Sequence, residues 1–204
     1  MNQLLNPRVV TVLFLGFSSG LPLALSGGTL QAWLTVEDVD IKTIGLFSLV
    51  GLPYTLKFLW SPLMDRFVVP IFGRRRGWIA LSQLALIGLI LGMSVTSPQN
   101  GLWFLALLAF CLTFVSASQD VAIDAYRTEL LRERERGIGA AVSVTGYRVA
   151  MLVSGALALI LSEYLGWRAT YMLIALIMSI GVVAVWLGPE PEDPGTPPAS
   201  MKDA

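Results

Sequence analysis

Six apolar runs, at 9–34, 43–64, 78–96, 101–124, 137–161 and 168–187, leave this chain few ways to fold. Each is close to the roughly 20 residues a helix needs to cross a bilayer core about 30 Å thick. Only helices and closed barrels satisfy every backbone polar group in such a medium. The expected fold is therefore all-α: a polytopic membrane protein of six transmembrane helices over residues 1–188. The composition agrees, being 55% hydrophobic and 14% charged where a soluble domain carries about 25% charged residues. From Pro189 the chain turns Pro-rich and acidic, so 189–204 reads as a flexible tail or linker.

The first run contains Ala24-Leu25-Ser26, which resembles a small-x-small cleavage site. The run continues past it and five more follow, so an uncleaved helix is expected. Gly16 and Gly20 form a small-xxx-small pair that lets another helix approach closely. Pro22 interrupts the backbone ladder, and Pro53 and Pro62 are expected kinks in the second run.

Lysine and arginine set the orientation. Arg8, Arg66, Arg74, Arg75, Arg76, Arg127, Arg132, Arg134, Arg136 and Lys202 all fall on one side, which the positive-inside rule makes cytoplasmic. Six spans then put both termini in the cytoplasm. Lys42 and Arg168 lie opposite, where Trp33, Trp103 and Trp167 would form an aromatic belt.

Absent residues narrow the chemistry. There is no His, so Ser-His-Asp and Cys-His catalysis and His-ligated metals or haem are excluded. Cys111 stands alone inside an apolar run, which rules out an intrachain disulfide. No enzyme activity, cofactor, metal or nucleic-acid partner is expected; the lipid bilayer is the first partner.

Charges inside the runs are costly and point to function. Asp120 and Asp124 are four apart, so a helix places them on one face, with Asp120 one turn deeper. Lys57 lies about 12 Å in from the cytoplasmic end of its span, at about 1.5 Å per residue. Arg148 is near the middle of the fifth run. Three spans thus bring charge to the inner half of the bundle. Two ionised carboxylates one turn apart repel, so either a cation sits between them or one carries a proton. The first option makes Lys57 or Arg148 the partner; the second makes Asp120 the proton site. Asp124 can instead pair Arg127 at i, i+3 or face the headgroups. Gln119, Tyr147, Gln31 and Tyr54, with Ser18, Ser19, Ser143 and Thr145, add polar groups that would suit a large polar ligand or serve as interhelical hydrogen bonds.

The loop after the second run holds Asp65 and Arg66, then Gly73, Arg74, Arg75 and Arg76. Topology alone accounts for the arginines but not for Asp65. Position and order resemble the cytoplasmic signature loop between helices 2 and 3 of the major facilitator superfamily. Ser61 replaces that loop's leading glycine, and six residues stand between Arg66 and Gly73 where the pattern has one. Gly16-Phe17-Ser18-Ser19-Gly20-Leu21-Pro22 with Gln31-Ala32-Trp33, Lys57-Phe58-Leu59-Trp60-Ser61-Pro62, Ser118-Gln119-Asp120 with Asp124-Ala125, and Gly146-Tyr147-Arg148 are similar to one branch, the AmpG muropeptide permeases, from residue 9 to 194. That branch has its own long version of the loop. Acetyl-coenzyme A transporters share the Gln-Asp-x3-Asp core.

The resemblance implies the N-terminal six-helix bundle of a major facilitator fold, in a bacterial inner membrane. It implies import of anhydromuropeptides, large glycopeptides, from periplasm to cytoplasm for peptidoglycan recycling. Coupling to protons, and in some bacteria a part in β-lactamase induction, come with it. The loop's Asp and Arg residues would lock one closed state against the other half. Such transporters need two bundles, so a C-terminal half or a second copy is an expected partner. A carrier of acyl-coenzyme A or another large anion, and a non-transporting scaffold, remain the other readings.

Overall fold

A computed structural model describes residues 6–66 and 74–191, without the side chains of Asp65, Arg66 and Arg74. All its regular structure is helical: α1 (Pro7–Ala24), α2 (Leu30–Val36), α3 (Ile41–Phe47), α4 (Leu52–Leu56), α5 (Ser61–Arg66), α6 (Arg74–Val95), α7 (Pro98–Leu130), α8 (Arg136–Leu152) and α9 (Ala158–Leu187). Among the described residues, four stretches are long and apolar enough to cross a membrane: Pro7–Val36, Arg75–Val95, Pro98–Leu130 and Glu133–Leu187. Large apolar side chains such as Leu84, Leu107 and Leu176 are exposed on the outside, as lipid contact requires.

The helices are interrupted where the sequence loosens them. A π-helical turn, Leu25–Thr29, continues α1 into α2, with Gly27 outside helical geometry at φ −96°, ψ −109°. A second, Val153–Leu157, joins α8 to α9. A π turn misaligns the backbone ladder, so side chains take up the carbonyls. Thr29 Oγ1 donates to the Ser154 carbonyl at 2.6 Å, tying one π turn to the other. Ser26 Oγ donates to the Pro22 carbonyl at 2.7 Å. The second run is the most broken, with 3₁₀ turns at Ser48–Gly51 and Lys57–Leu59 between α3, α4 and α5. Thr113 on α7 donates to the Val50 carbonyl at 2.6 Å.

The gap between the fifth and sixth apolar runs, 162–167, is a break inside α9. Gly166 has φ 77° and ψ 162°, a conformation costly for any residue with a Cβ. The chain reverses there. Before it, α8 runs parallel to α1: Gly16 abuts Ser143, and Thr29 meets Ser154. After it, α9 runs antiparallel to α1: Tyr171 lies by Leu25 and Gly181 by Ser18.

The α1–α8 contact is backbone on backbone. A Cβ on Gly16 would strike the Ser143 carbonyl, one on Gly20 the Tyr147 carbonyl, and one on Gly146 the Leu13 carbonyl and, at 2.9 Å, the Phe17 nitrogen. The Gly16–Gly20 pair therefore does what its spacing suggests, with Gly146 as its counterpart on α8. One buried cluster, built on Leu21, Leu25, Trp33, Leu86, Leu112 and Tyr171, fills one end of the bundle. A second, built on Val12, Leu15, Ile79, Ile123, Tyr126 and Val185, fills the other.

Of the three tryptophans expected as a belt, Trp33 is buried and stacks on Trp167 with ring centroids 5.6 Å apart. It is an interhelical contact. Trp103 is 75% exposed, as a belt residue would be.

At the end expected to be cytoplasmic, Arg76 caps α9. Its Nε donates to the Val185 carbonyl at 3.0 Å and its Nη2 to the carbonyls of Val185 and Trp186 at 2.7 and 3.0 Å. Its Nη1 lies 3.2 Å from Glu190. Tyr126 donates to the Pro189 carbonyl at 2.5 Å. A cation with the last carbonyls of a helix satisfies orphan acceptors and the dipole together. Arg76→Ala is expected to lower the thermal midpoint in detergent by several degrees, since hydrogen bonds to a charged group contribute about 1.5–3 kcal/mol. Circular dichroism melts would check it, and an unchanged midpoint would remove the capping role.

Candidate functional site

Three observations build the site. First, α7 carries Asp120 and Asp124 into the same cavity, one turn apart, as their spacing predicts. Second, the close α1–α8 packing puts Ser19 from α1 and Ser143, Val144 and Tyr147 from α8 on the opposite wall. Third, the 3₁₀ turn Lys57–Leu59 lets the Lys57 side chain reach the same space. The cavity holds about 260 Å³.

The two acids are held differently. Asp120 accepts a hydrogen bond from Ser19 Oγ, and Lys57 lies within electrostatic reach without an ion-pair contact. Asp124 pairs with Arg127 on its own helix, with Nη2–Oδ1 at 3.0 Å, and its side chain is 57% exposed. Arg127 Nη1 donates onward to Ser143 Oγ at 3.3 Å, so that pair also ties α7 to α8. One acid sits in the protein and touches a neutral hydroxyl; the other is a partly solvated ion pair. Chemically, the first can change charge by taking a proton, and the second is already neutralised.

Lys57, Asp120, Asp124 and Tyr147, expected together from sequence, do line one cavity. Arg148 does not line it: it points from the exposed face of α8 and has no ion-pair partner among the described residues. Of the two cations offered as partners for the acids, Lys57 is thus the near one, joined by Arg127. Gln31 is half-buried on α2, away from the cavity. Tyr54 is half-buried, its hydroxyl beside Ser26 and Ser116 without hydrogen-bond geometry to either. Gln119 is fully buried and neither end of its amide has a protein partner.

In the loop expected to lock a closed state, Gly73 and the side chains of Asp65, Arg66 and Arg74 lie outside the described residues. Arg75 pairs with Glu129 of α7 at 2.9 Å, and Arg76 caps α9. Both are engaged with this bundle.

The sequence pattern of the Major Facilitator Superfamily matches residues 12–203. The chain belongs to that superfamily. The anhydromuropeptide permease of Escherichia coli K12 is 52% identical over 199 residues, covering 97% of this chain and 40% of that protein. An uncharacterised protein of Haemophilus influenzae is 39% identical over 192 residues, covering 94% of this chain and 45% of that protein. Putative transporter AmpG 4 of Rickettsia felis is 35% identical over 183 residues, with 87% and 44% covered. The resemblance to AmpG permeases seen in the motifs is therefore upheld, and the chain spans less than half the length of the curated relatives it matches. These named relatives are a permease and a transporter, not enzymes.

One polar residue of this major facilitator chain escaped the motifs. Gln83 lies in the charge-free third run, is fully buried and donates to Ser18 Oγ. Gly181 of α9 closes against both, with no room for a Cβ. The signal was an isolated glutamine in an apolar run.

Proposed function

We propose that this chain forms the N-terminal six-helix bundle, residues 1–188 with a linker at 189–204, of a proton-coupled importer of anhydromuropeptides. It would reside in the bacterial inner membrane with both ends of the segment in the cytoplasm. Import from periplasm to cytoplasm would serve peptidoglycan recycling and, through supply of a signalling muropeptide, β-lactamase induction. The observation that carries the reading is the E. coli permease's 52% identity across 97% of this chain, with a membrane-embedded acid, cation and phenol converging on one cavity.

At about 260 Å³ that cavity is below the roughly 300–1,000 Å³ of sites that enclose a drug-sized ligand. A glycopeptide would need a second wall, which the proposal assigns to a C-terminal half or a second copy. Lys57 and Tyr147 offer donors to a carboxylate or sugar hydroxyl, and Asp120 is the proton carrier. The test is uptake of labelled anhydromuropeptide into vesicles under an imposed pH gradient, by this chain alone and together with a C-terminal half. Accumulation that collapses with a protonophore is the expected result. No uptake, with saturable binding of acyl-coenzyme A instead, would move the substrate class to the other large-anion reading.

A further inference from the structure

A second polar layer stands next to Asp120 on its outer side. Ser116 is four residues before Asp120 on α7, Tyr54 three before Lys57, and Ser26 seven beyond Ser19 on the continuation of α1. A rise of about 1.5 Å per residue puts this layer roughly 5–10 Å further into the membrane. The Tyr54 hydroxyl is buried between Ser26 and Ser116 and within electrostatic reach of Asp120 and Tyr147. Ser116 and Gln119, three apart on α7, are both fully buried. Tyr54 Oη, Ser116 Oγ, Gln119 Oε1 and Gln119 Nε2 all lack a protein partner. Buried polar groups in folded proteins are met by protein or by ordered water. The Tyr54 hydroxyl within electrostatic reach of Asp120, with Ser116 beside it and Gln119 one turn further along α7, therefore marks a water site. Its outer edge is the π turn at Ser26, where Gly27 leaves helical geometry and Gly28 is exposed with open space around it.

We propose that Tyr54, Ser116 and Gln119 hold a short chain of internal water that carries protons between the outer side of the bundle and Asp120, with the Tyr54 hydroxyl as the relay. The hydroxyl takes a proton on a lone pair from water on the Ser26 side and releases its own toward the Asp120 carboxylate. One O–H bond forms as another breaks, and no phenolate appears. Gln119 and Ser116 are positioning residues that hold the water. The other groups lining the cavity around Asp120 are Ser19 from α1, Lys57 from the 3₁₀ turn, Tyr147 from α8, and Asp124 with its ion-pair partner Arg127 from α7. None of these lies in the outer layer.

The proposal rests on Asp120 as the proton site, and the experiment separates the two. The transporter that contains this chain, with a C-terminal half or a second copy as its other wall, is reconstituted, and proton-driven accumulation of anhydromuropeptide is measured against counterflow exchange. In Tyr54→Phe the ratio of the two should fall at least about tenfold, as should Gln119→Leu, because each breaks a buried hydrogen-bonded chain. An unchanged ratio in Tyr54→Phe overturns the relay; if Asp120→Asn still lowers the ratio, the Asp120 reading survives alone. A substrate-free readout is infrared hydrogen–deuterium exchange of the Asp120 carboxylic acid at low pH, assigned by its loss in Asp120→Asn. Exchange slowed at least about tenfold in Tyr54→Phe supports the relay; the parent rate overturns it.

Discussion

Gly146→Leu is expected to abolish the folded chain, and Gly146→Ala to weaken it by about 1–3 kcal/mol, the range for overpacking a tight interior. The site leaves no slack. A Cβ there meets the Leu13 carbonyl and the Phe17 nitrogen, both backbone atoms of α1, and no rotamer change can move them. Either the helices part or the variant does not assemble. Separation would also pull Ser143 and Tyr147 from the cavity wall opposite Asp120. Gly88→Ala is the control: it lies in α6 with nothing within 4 Å of the added methyl, so relief of backbone entropy should leave stability equal or higher by about 0.5–1 kcal/mol. Thermal unfolding in detergent, followed by circular dichroism, would compare the three. A Gly146→Ala melt matching the parent would mean that α1 and α8 are not in backbone contact.

The second large effect separates two carboxylates that look alike in sequence. Asp120→Asn is expected to remove proton-driven uptake by the reconstituted transporter. Asparagine keeps an acceptor for Ser19 Oγ, so the fold should survive while the exchangeable proton is lost. Asp124→Asn should change uptake by less than about fivefold, since a partly exposed ion pair contributes only about 0–1 kcal/mol. Its partner Arg127 keeps the bond to Ser143. The measurement is initial uptake with and without an imposed pH gradient, normalised to protein in the membrane. Equal losses in the two variants would sink the division of roles, and full gradient-driven uptake by Asp120→Asn would remove Asp120 as the proton carrier.

Much of this was legible beforehand because bilayer physics is strict. Run length fixes which segments can span, and the i, i+4 spacing fixes that Asp120 and Asp124 share a face. Small residues at Gly16 and Gly20 announce a close helix contact. Motif order pointed to the major facilitator superfamily, and the match over residues 12–203 upholds it. Arg148 shows what spacing cannot supply. Its depth is readable from the chain, but the direction of its side chain depends on how α8 rotates against α1, and that rotation is set by Gly146 facing Leu13 and Phe17. The same rotation turns Tyr147 toward Asp120 and leaves Arg148 exposed.

The sequence by itself determined a helical membrane chain and the shared face of Asp120 and Asp124, because hydrophobic length and helical periodicity are local properties; its motifs carried the superfamily resemblance. The tertiary structure decided which cation lies near Asp120, that Asp124 is already paired, and that Trp33 is a core residue. It also decided that Gln83 and Gln119 are fully buried and that the Tyr54 hydroxyl is enclosed. These are properties of distance and burial, created only when helices far apart in the chain pack against one another.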